Sequence, residues 1–286
     1  MSLTLTNVTK SYRGKSALDR VSLDLQTGLI YGLFGRNGAG KTTLLNVIAD
    51  RLKADSGMML VDGKRLEDCG SLQRRIALVD GTWPYPAYAT VRRCLRLAQT
   101  LYGDFDWAFA DRMLNAFGIE STRRFSSLSL GQRQEVKATL ALSLPADYVL
   151  LDESTNGVDA AGRKLIYRFI LEAYEQRERA ILISTHIISE IEGLINQAYV
   201  LDQGRLVSSF DLEGLPGMGY GLIGRPEQID PYLRSRGSRV LSRQKLGQMI
   251  QVGVAGDLPS DLPQGVLSQA LDLQTYCIYL TEGGQL

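Results

Sequence analysis

The chain has 286 residues, with 32 Lys+Arg against 31 Asp+Glu, 44% hydrophobic residues and 22% charged residues. That length allows two compact units, or one core with an appendage, at roughly 100–200 residues per domain. Near-neutrality excludes a broad nucleic-acid-binding surface, which needs clustered positive charge, and the composition excludes wholesale disorder. No stretch approaches the roughly 20 uninterrupted apolar residues of a membrane-spanning helix. The first residues, MSLTLTNVTKSY, show no basic-then-apolar leader, so the chain is expected in the cytosol. Cys69, Cys94 and Cys277 make neither a disulfide framework nor a metal cluster, and the single histidine, His186, excludes a site built from several histidines.

In chain order, Val21, Leu23 and Leu25 alternate with polar residues, as in a half-buried antiparallel strand. LIYGLFG (29–35) is an apolar run that suits a strand buried on both faces. A helix follows, with Leu44, Leu45, Ile48 and Leu52 on one face. From Thr90 to about Ser143 apolar residues recur at three- and four-residue spacing. Three helices are predicted there, over 90–102, 107–117 and 130–144, with SSLS (126–129) offering caps to the third. Strand–helix alternation then resumes: YVLLD (148–152), a helix over 161–176, AILIS (180–184), a helix over 187–195, and a hairpin around Gln203-Gly204. This predicts a mainly parallel α/β sheet with helices on both faces. After Phe210 a glycine-rich stretch (214–221) introduces a small α+β extension over 211–286. GYGLIG, MIQVGVA and TYCIYL read as its strands, and PEQIDPYLRSRG and GVLSQALDL as helices.

Gly35-Arg36-Asn37-Gly38-Ala39-Gly40-Lys41-Thr42 fits G-x-x-x-x-G-K-[ST], with a strand before it and an amphipathic helix after it. Glycines let the backbone turn its N–H groups onto phosphate oxygens, and the helix N-terminus adds about half a positive charge. Lys41 is expected to reach the β- and γ-phosphates of a nucleotide, and the Thr42 hydroxyl to ligate Mg²⁺. Asp152 ends an apolar strand and is the candidate Mg²⁺ carboxylate. Glu153 is the candidate base for the attacking water.

These motifs, in this order, resemble the ATP-binding subunits of ABC transporters over about residues 1–210. Leu128-Ser129-Leu130-Gly131-Gln132 is similar to the family signature, Ser154–Asp159 to the segment ending in the D-loop aspartate, and Ser184-Thr185-His186 to the switch histidine. Tyr12, before Ala17-Leu18, is similar to the aromatic residue that stacks on adenine. The resemblance implies a P-loop NTPase (RecA-like) core with N-terminal antiparallel strands and a helical subdomain inserted at about 84–145. It implies a head-to-tail pair with ATP between the 35–43 loop (Gly35 to Thr43) of one copy and Ser129, Gly131 and Gln132 of the other. His186 would then act at the γ-phosphate or water, and Asp159 would couple the two sites.

The chain departs from the family where a glutamine normally contacts the metal. The segment Ile76–Pro84 contains none, and Asp80 or Gly81 stands at that place, so Asp80 is a candidate metal contact through water. Leu130 replaces a glycine and Ser154 a proline. Residues 225–245 hold six Lys/Arg and two acids, read as a solvated face. Trp83, Tyr85 and Tyr88, with Pro84 and Pro86, form an aromatic stretch where the family receives a helix of the membrane subunit, or else core packing.

The resulting expectation is an ATPase subunit, peripheral on the cytoplasmic face of the membrane. It would power export through a separate transmembrane permease, paired with a second ATP-binding subunit, identical or not. No nucleic-acid partner is expected. The alternatives are a regulatory subunit with weak turnover and a non-transport ATPase of the same superfamily.

Overall fold

The computed structural model describes residues 1–66, 70–82, 85–86 and 88–282. Its centre is a six-stranded sheet, β10-β9-β3-β8-β7-β6. The strands are β3 (Leu29–Phe34), β6 (Ile76–Val79), β7 (Tyr148–Asp152), β8 (Ala180–Ser184), β9 (Gln197–Asp202) and β10 (Arg205–Asp211). All neighbours pair in parallel except β10, which returns antiparallel on β9. Gln203 and Gly204 both have positive φ (46° and 79°), the twist a tight two-residue hairpin needs.

The apolar runs are explained by burial on both faces. In β7, Val149 and Leu151 enter one core, while Tyr148 and Leu150 enter the other. The second core lies against a four-stranded antiparallel sheet formed by β1 (Ser2–Tyr12), β2 (Lys15–Gln26), β4 (Ser56–Val61) and β5 (Lys64–Arg65). Between the sheets runs α1 (Lys41–Ile48), burying Leu44, Leu45, Val47 and Ile48. The helix stops at Ile48, so Leu52 packs on this core from beyond the helix instead of extending its face.

On the other side stand the inserted helices α3 (Val91–Tyr102), α4 (Trp107–Ala116) and α5 (Leu130–Ser143). Thr90, Asp106 and Ser129 cap them by accepting from the backbone N–H groups of Arg93, Phe109 and Gln132. A short helix, α2 (Gly70–Gln73), precedes β6. The long helix α6 (Ala160–Gln176) covers the same face of the central sheet.

Three further expectations are corrected. The helix over 187–195 shrinks to one turn, α7 (Ile188–Ile191). Gly193 weakens its continuation, and Asn196 exchanges hydrogen bonds with Ile30, turning the chain into β9. In the C-terminal extension TYCIYL is helical, not extended, and lies in α9 (Leu273–Glu282). Leu273, Tyr276, Cys277 and Leu280 share one face at helical spacing, and Asp272 accepts from the Thr275 N–H at 2.6 Å. Within GVLSQALDL, Leu267–Ala270 forms an exposed strand, β14, paired to β11. The extension is thus a four-stranded sheet, β12-β13-β11-β14, with β11 (Gly219–Gly224), β12 (Val240–Leu246) and β13 (Met249–Ala255). The helix α8 (Pro226–Arg236) shares a separate small core with this sheet. α9 instead packs into the main core with Phe210 and Ile191, and its Leu273 N–H donates to Glu192.

Candidate active site

The parallel register sets the carboxyl ends of three strands side by side: Leu33 of β3 pairs with Ser184 of β8, which pairs with Asp152 of β7. Crevices beyond the carboxyl ends of parallel strands are the usual ligand sites of such sheets. Here a cleft of about 240 Å³ opens there, lined by Ala17, Asn37, Gly38, Gly40, Lys41, Thr42, Thr43, Asp152 and Glu153.

The loop needs its glycines. Gly40 has φ +109°, and a Cβ there would lie 2.5 Å from the Ala17 carbonyl; at Gly35 a Cβ would lie 2.2 Å from the Leu201 carbonyl. Gly40 is also the N-cap of α1, and no side chain caps the helix. Its first-turn amides are therefore left for another acceptor. Lys41 is buried, and its ammonium donates to the Gly35 and Arg36 carbonyls at 2.6 and 3.2 Å. Burial lowers its pKa, with Glu153 and Asp152 pulling the other way. A polyanion in the cleft would supply the compensation that burial denies this cation.

Asp152 is buried, and its Oδ1 has no hydrogen-bond partner; neither has the hydroxyl of its register neighbour Ser184. An orphaned carboxylate oxygen near a threonine hydroxyl fits a hard divalent cation. Among the described residues there is no group of three or more His, Cys, Asp or Glu that could hold a metal alone. Magnesium commonly takes one or two protein ligands, the rest being phosphate and water.

Glu153 has φ +49°, a left-handed conformation, and its N–H donates to the Ser184 carbonyl at 2.9 Å. Its Oε2 lies 2.7 Å from His186 Nδ1, so the histidine donates through that nitrogen and orients the carboxylate. Glu153 lines the cleft and is half-buried, whereas His186 is exposed and does not line it.

Other candidates lie elsewhere. Tyr12 is 48% exposed at the end of the β1–β2 hairpin, with the Lys10 ammonium 5.9 Å from its ring centre. It does not line the cleft, although Ala17 of the same hairpin does. Ser129, Gly131 and Gln132 are absent from the lining as well. Ser129 and Gln132 form a capping box at the start of α5. Gly131 presses on the 157–158 turn, where a Cβ would meet the Gly157 carbonyl at 2.8 Å. Leu130 lies beside Gly157 and stays 62% exposed. Asp159 caps α6, accepting from the Gly162 N–H at 2.7 Å. Asp80 is not brought to the cleft: Arg51 and Thr82 occupy its carboxylate, which removes the ground for a metal contact there. Tyr85, Tyr102, Leu101, Arg51 and Lys137 line a separate groove of about 170 Å³ beside the helical subdomain. Tyr88 is exposed, and Trp83 and Pro84 lie outside the described residues. Sequence reasoning missed Arg51 and Lys137 and gave Ser184 no role of its own; only the strand register and side-chain packing reveal them.

The model of the family described as "ABC transporter" matches residues 18–156. The chain is 30% identical over 211 residues to the ABC transporter ATP-binding protein YtrB of Bacillus subtilis, spanning 74% of this chain and 72% of that protein. It is 30% identical over 213 residues to the bacitracin transport ATP-binding protein BcrA of Bacillus licheniformis, spanning 73% and 70%. It is 29% identical over 221 residues to the arabinose import ATP-binding protein AraG 1 of Burkholderia lata, spanning 73% and 44%. Among solved structures, an ATP-binding subunit of an ABC transporter superposes with a TM-score of 0.67 at 23% identity, over 83% of this chain and 94% of that one. At that identity the likeness speaks for the fold, a P-loop cassette. The chain belongs to the ATP-binding proteins of ABC transporters, the ATPase subunits that drive transport.

Proposed function

We propose that the chain cleaves ATP at the Lys41–Asp152–Glu153 cleft, as one of a head-to-tail pair of cassettes, to drive export through a separate membrane permease. The observation that carries the catalytic part is the pairing of an orphaned, buried Asp152 oxygen with a histidine-oriented Glu153 on the same cleft.

The loop amides and the α1 N-terminus bind the phosphates, and the Lys41 ammonium exchanges its carbonyl partners for the β- and γ-phosphate oxygens. Thr42 and Asp152 would hold Mg²⁺, which when bound offsets charge on the phosphates. Glu153 accepts a proton from a water that attacks the γ-phosphorus; the bond to the β-γ bridging oxygen breaks, and ADP and phosphate leave. His186 keeps the Glu153 carboxylate aimed. Tyr12 stacks on the adenine. Ser129, Gly131 and Gln132 of the second cassette close over the γ-phosphate, with Asp159 at the joint, so cleavage releases the pair. The unpartnered helix terminus of α1, beside a cation that burial disfavours, supports tight triphosphate binding. Among the described residues no helix is long and apolar enough to cross a membrane, which supports a path built by another chain. The cassette would then sit on the cytoplasmic face of the membrane. Its 170 Å³ groove with Tyr85 and Tyr102 offers an apolar seat for that chain. The boundary near residue 210 separates this cassette from the C-terminal extension.

Export rather than import rests on similarity to a bacitracin transport protein. A strain lacking the chain should become several-fold more sensitive to peptide antibiotics, and Glu153→Gln should not restore it. Co-purification with a hydrophobic subunit and ATP-driven accumulation in inverted vesicles would support the reading. Accumulation only in right-side-out vesicles would overturn the direction. Phosphate release unchanged by Glu153→Gln would overturn the chemistry.

A further inference from the structure

The end of β6 is tied to two other parts of the chain. Asp80 Oδ2 accepts from Arg51 Nη1 at 3.2 Å, and Oδ1 accepts from the Thr82 N–H and hydroxyl at 2.8 and 2.6 Å. The Asp80 carbonyl accepts from Lys137 Nζ at 2.8 Å, and Arg51 Nη2 donates to the Leu78 carbonyl at 2.8 Å. Lys137 is only 6% exposed. Burial pulls its pKa down, the Asp80 carboxylate opposes that, and Arg133 adds to the depression.

We infer that Asp80 is a positioning residue: an Arg51–Asp80–Lys137 knot, rather than a metal contact, sets the helix bearing Ser129 against the helix bearing Lys41 and Thr42. The inference rests on the reading that Ser129 closes over nucleotide held by a second copy. Arg51 lies just past the end of α1, so the knot grips the phosphate-loop helix from behind. Lys137 lies eight residues along α5 from its Ser129 cap, about 12 Å at 1.5 Å per residue. The groove between these elements is lined by Arg51 and Lys137 themselves, so its shape and the position of α5 depend on the same two cations that Asp80 ties down.

The Asp80 carboxylate pairs with the exposed Arg51 guanidinium and opposes the burial of the Lys137 ammonium, which the Asp80 main-chain carbonyl holds. Neutralising it removes the partner of Arg51 and the anion that offsets the buried Lys137, and an uncompensated buried charge is strongly disfavoured. The readiest relief is for Lys137 to move toward solvent, and α5 with it. A displacement of about 1 Å at a catalytic element can cost 10²-fold in rate.

The test uses the full chain with Asp80→Asn, Lys137→Met and the double variant. For Asp80→Asn we expect kcat to fall at least tenfold while the KM for ATP stays within about threefold, because the phosphate loop is untouched. Mn²⁺ affinity of the ATP-loaded chain, read by electron paramagnetic resonance, should match wild type. Lys137→Met removes the stranded cation, so the double variant should recover most of the rate and of the melting temperature. A tenfold loss of Mn²⁺ affinity in Asp80→Asn with no rescue by Lys137→Met would overturn the inference, as would unchanged kcat in Asp80→Asn. Should Asp80→Asn fail to fold, rescue of folding in the double variant supports the knot, and its absence counts against it. Ser129→Ala separates the two ideas. A wild-type rate there would sink the two-copy reading, while non-additive melting temperatures would still report the knot.

Discussion

In the proposed reaction Glu153 is where strain and chemistry meet, and the two can be separated by substitution. At φ +49° a residue with a Cβ pays about 1–2 kcal/mol relative to the right-handed region. Glycine at this position would recover that amount. Against it stand about 0.5–1 kcal/mol of added chain entropy in the unfolded state and about 0.5–1.5 kcal/mol for the lost hydrogen bond to His186. The latter belongs at its lower end, because the histidine is 56% exposed. These contributions nearly cancel, so Glu153→Gly should melt within about 2–4 °C of wild type. Its phosphate release at saturating ATP and magnesium should nevertheless fall by about 10²–10⁴, the usual worth of a positioned base. Glu153→Gln keeps the side-chain length and a hydrogen-bond acceptor for His186, and should show the same rate loss with undiminished ATP binding. With ATP it should also elute as a dimer. Calorimetry and phosphate release on the same preparations decide the matter. A rate within tenfold of wild type in both variants, or a stability loss well beyond 2 kcal/mol in Glu153→Gly, would refute the assignment of Glu153 as a strained base.

Three further outcomes follow from the same structure. Ser129→Ala removes one half of the capping box on α5 and should cost about 0.5–2 kcal/mol in unfolding experiments; Ser129→Asn should restore stability without restoring the rate. The Cys277 thiol, buried beside Glu192 and Asp272, is pushed from 9.0 up to about 12. Because the folded form keeps its proton where the unfolded form loses it, its stabilising contribution is complete below pH 9.0 and fades as pH rises toward 12. That alkaline decline should shrink in Cys277→Ala, and native Cys277 should resist thiol reagents at pH 8. Ending the chain at residue 271 removes Leu273, Tyr276, Cys277 and Tyr279 from the main core. At about 1.5–3 kcal/mol each, the loss rivals a whole domain's net stability of about 5–15 kcal/mol. The shortened chain should aggregate, and a soluble product with the wild-type melting temperature would contradict this packing.

The parts of the fold legible in the sequence are those where one local rule decides. The run 29–35 is apolar because β3 is buried on both faces, and the glycines at 35, 38 and 40 are required by a backbone that no Cβ would permit at two of them. TYCIYL misleads because aromatic and β-branched residues favour strands, while the choice is made by a core that accepts Tyr276 and Cys277 from one side only. Position 80 misleads for a different reason. An aspartate standing where the resembled family has a metal-contacting glutamine invites the same role, and only the fold shows that Arg51 and Thr82 reach it first.

The local violations in the chain sort by position. Asn7, Arg13, Arg20, Asp50, Asp62 and Gln203 also have positive φ, but they stand in β1–β2, in hairpins or at the end of a helix, where turns and bulges absorb it. Glu153 alone among them follows a buried strand with no hairpin to absorb it, and the orphaned oxygens of Asp152 and Ser184 lie at the same end of the sheet. Residues that break a local rule without a nearby structural compensation mark places where function has set the geometry. At this edge each unmet demand has the same remedy. The uncapped α1 needs acceptors, the buried Lys41 needs anionic charge, and the Asp152 oxygen needs a cation. A magnesium-bound triphosphate would satisfy all of them at once, whereas a neutral ligand would leave the ammonium and the carboxylate as they are.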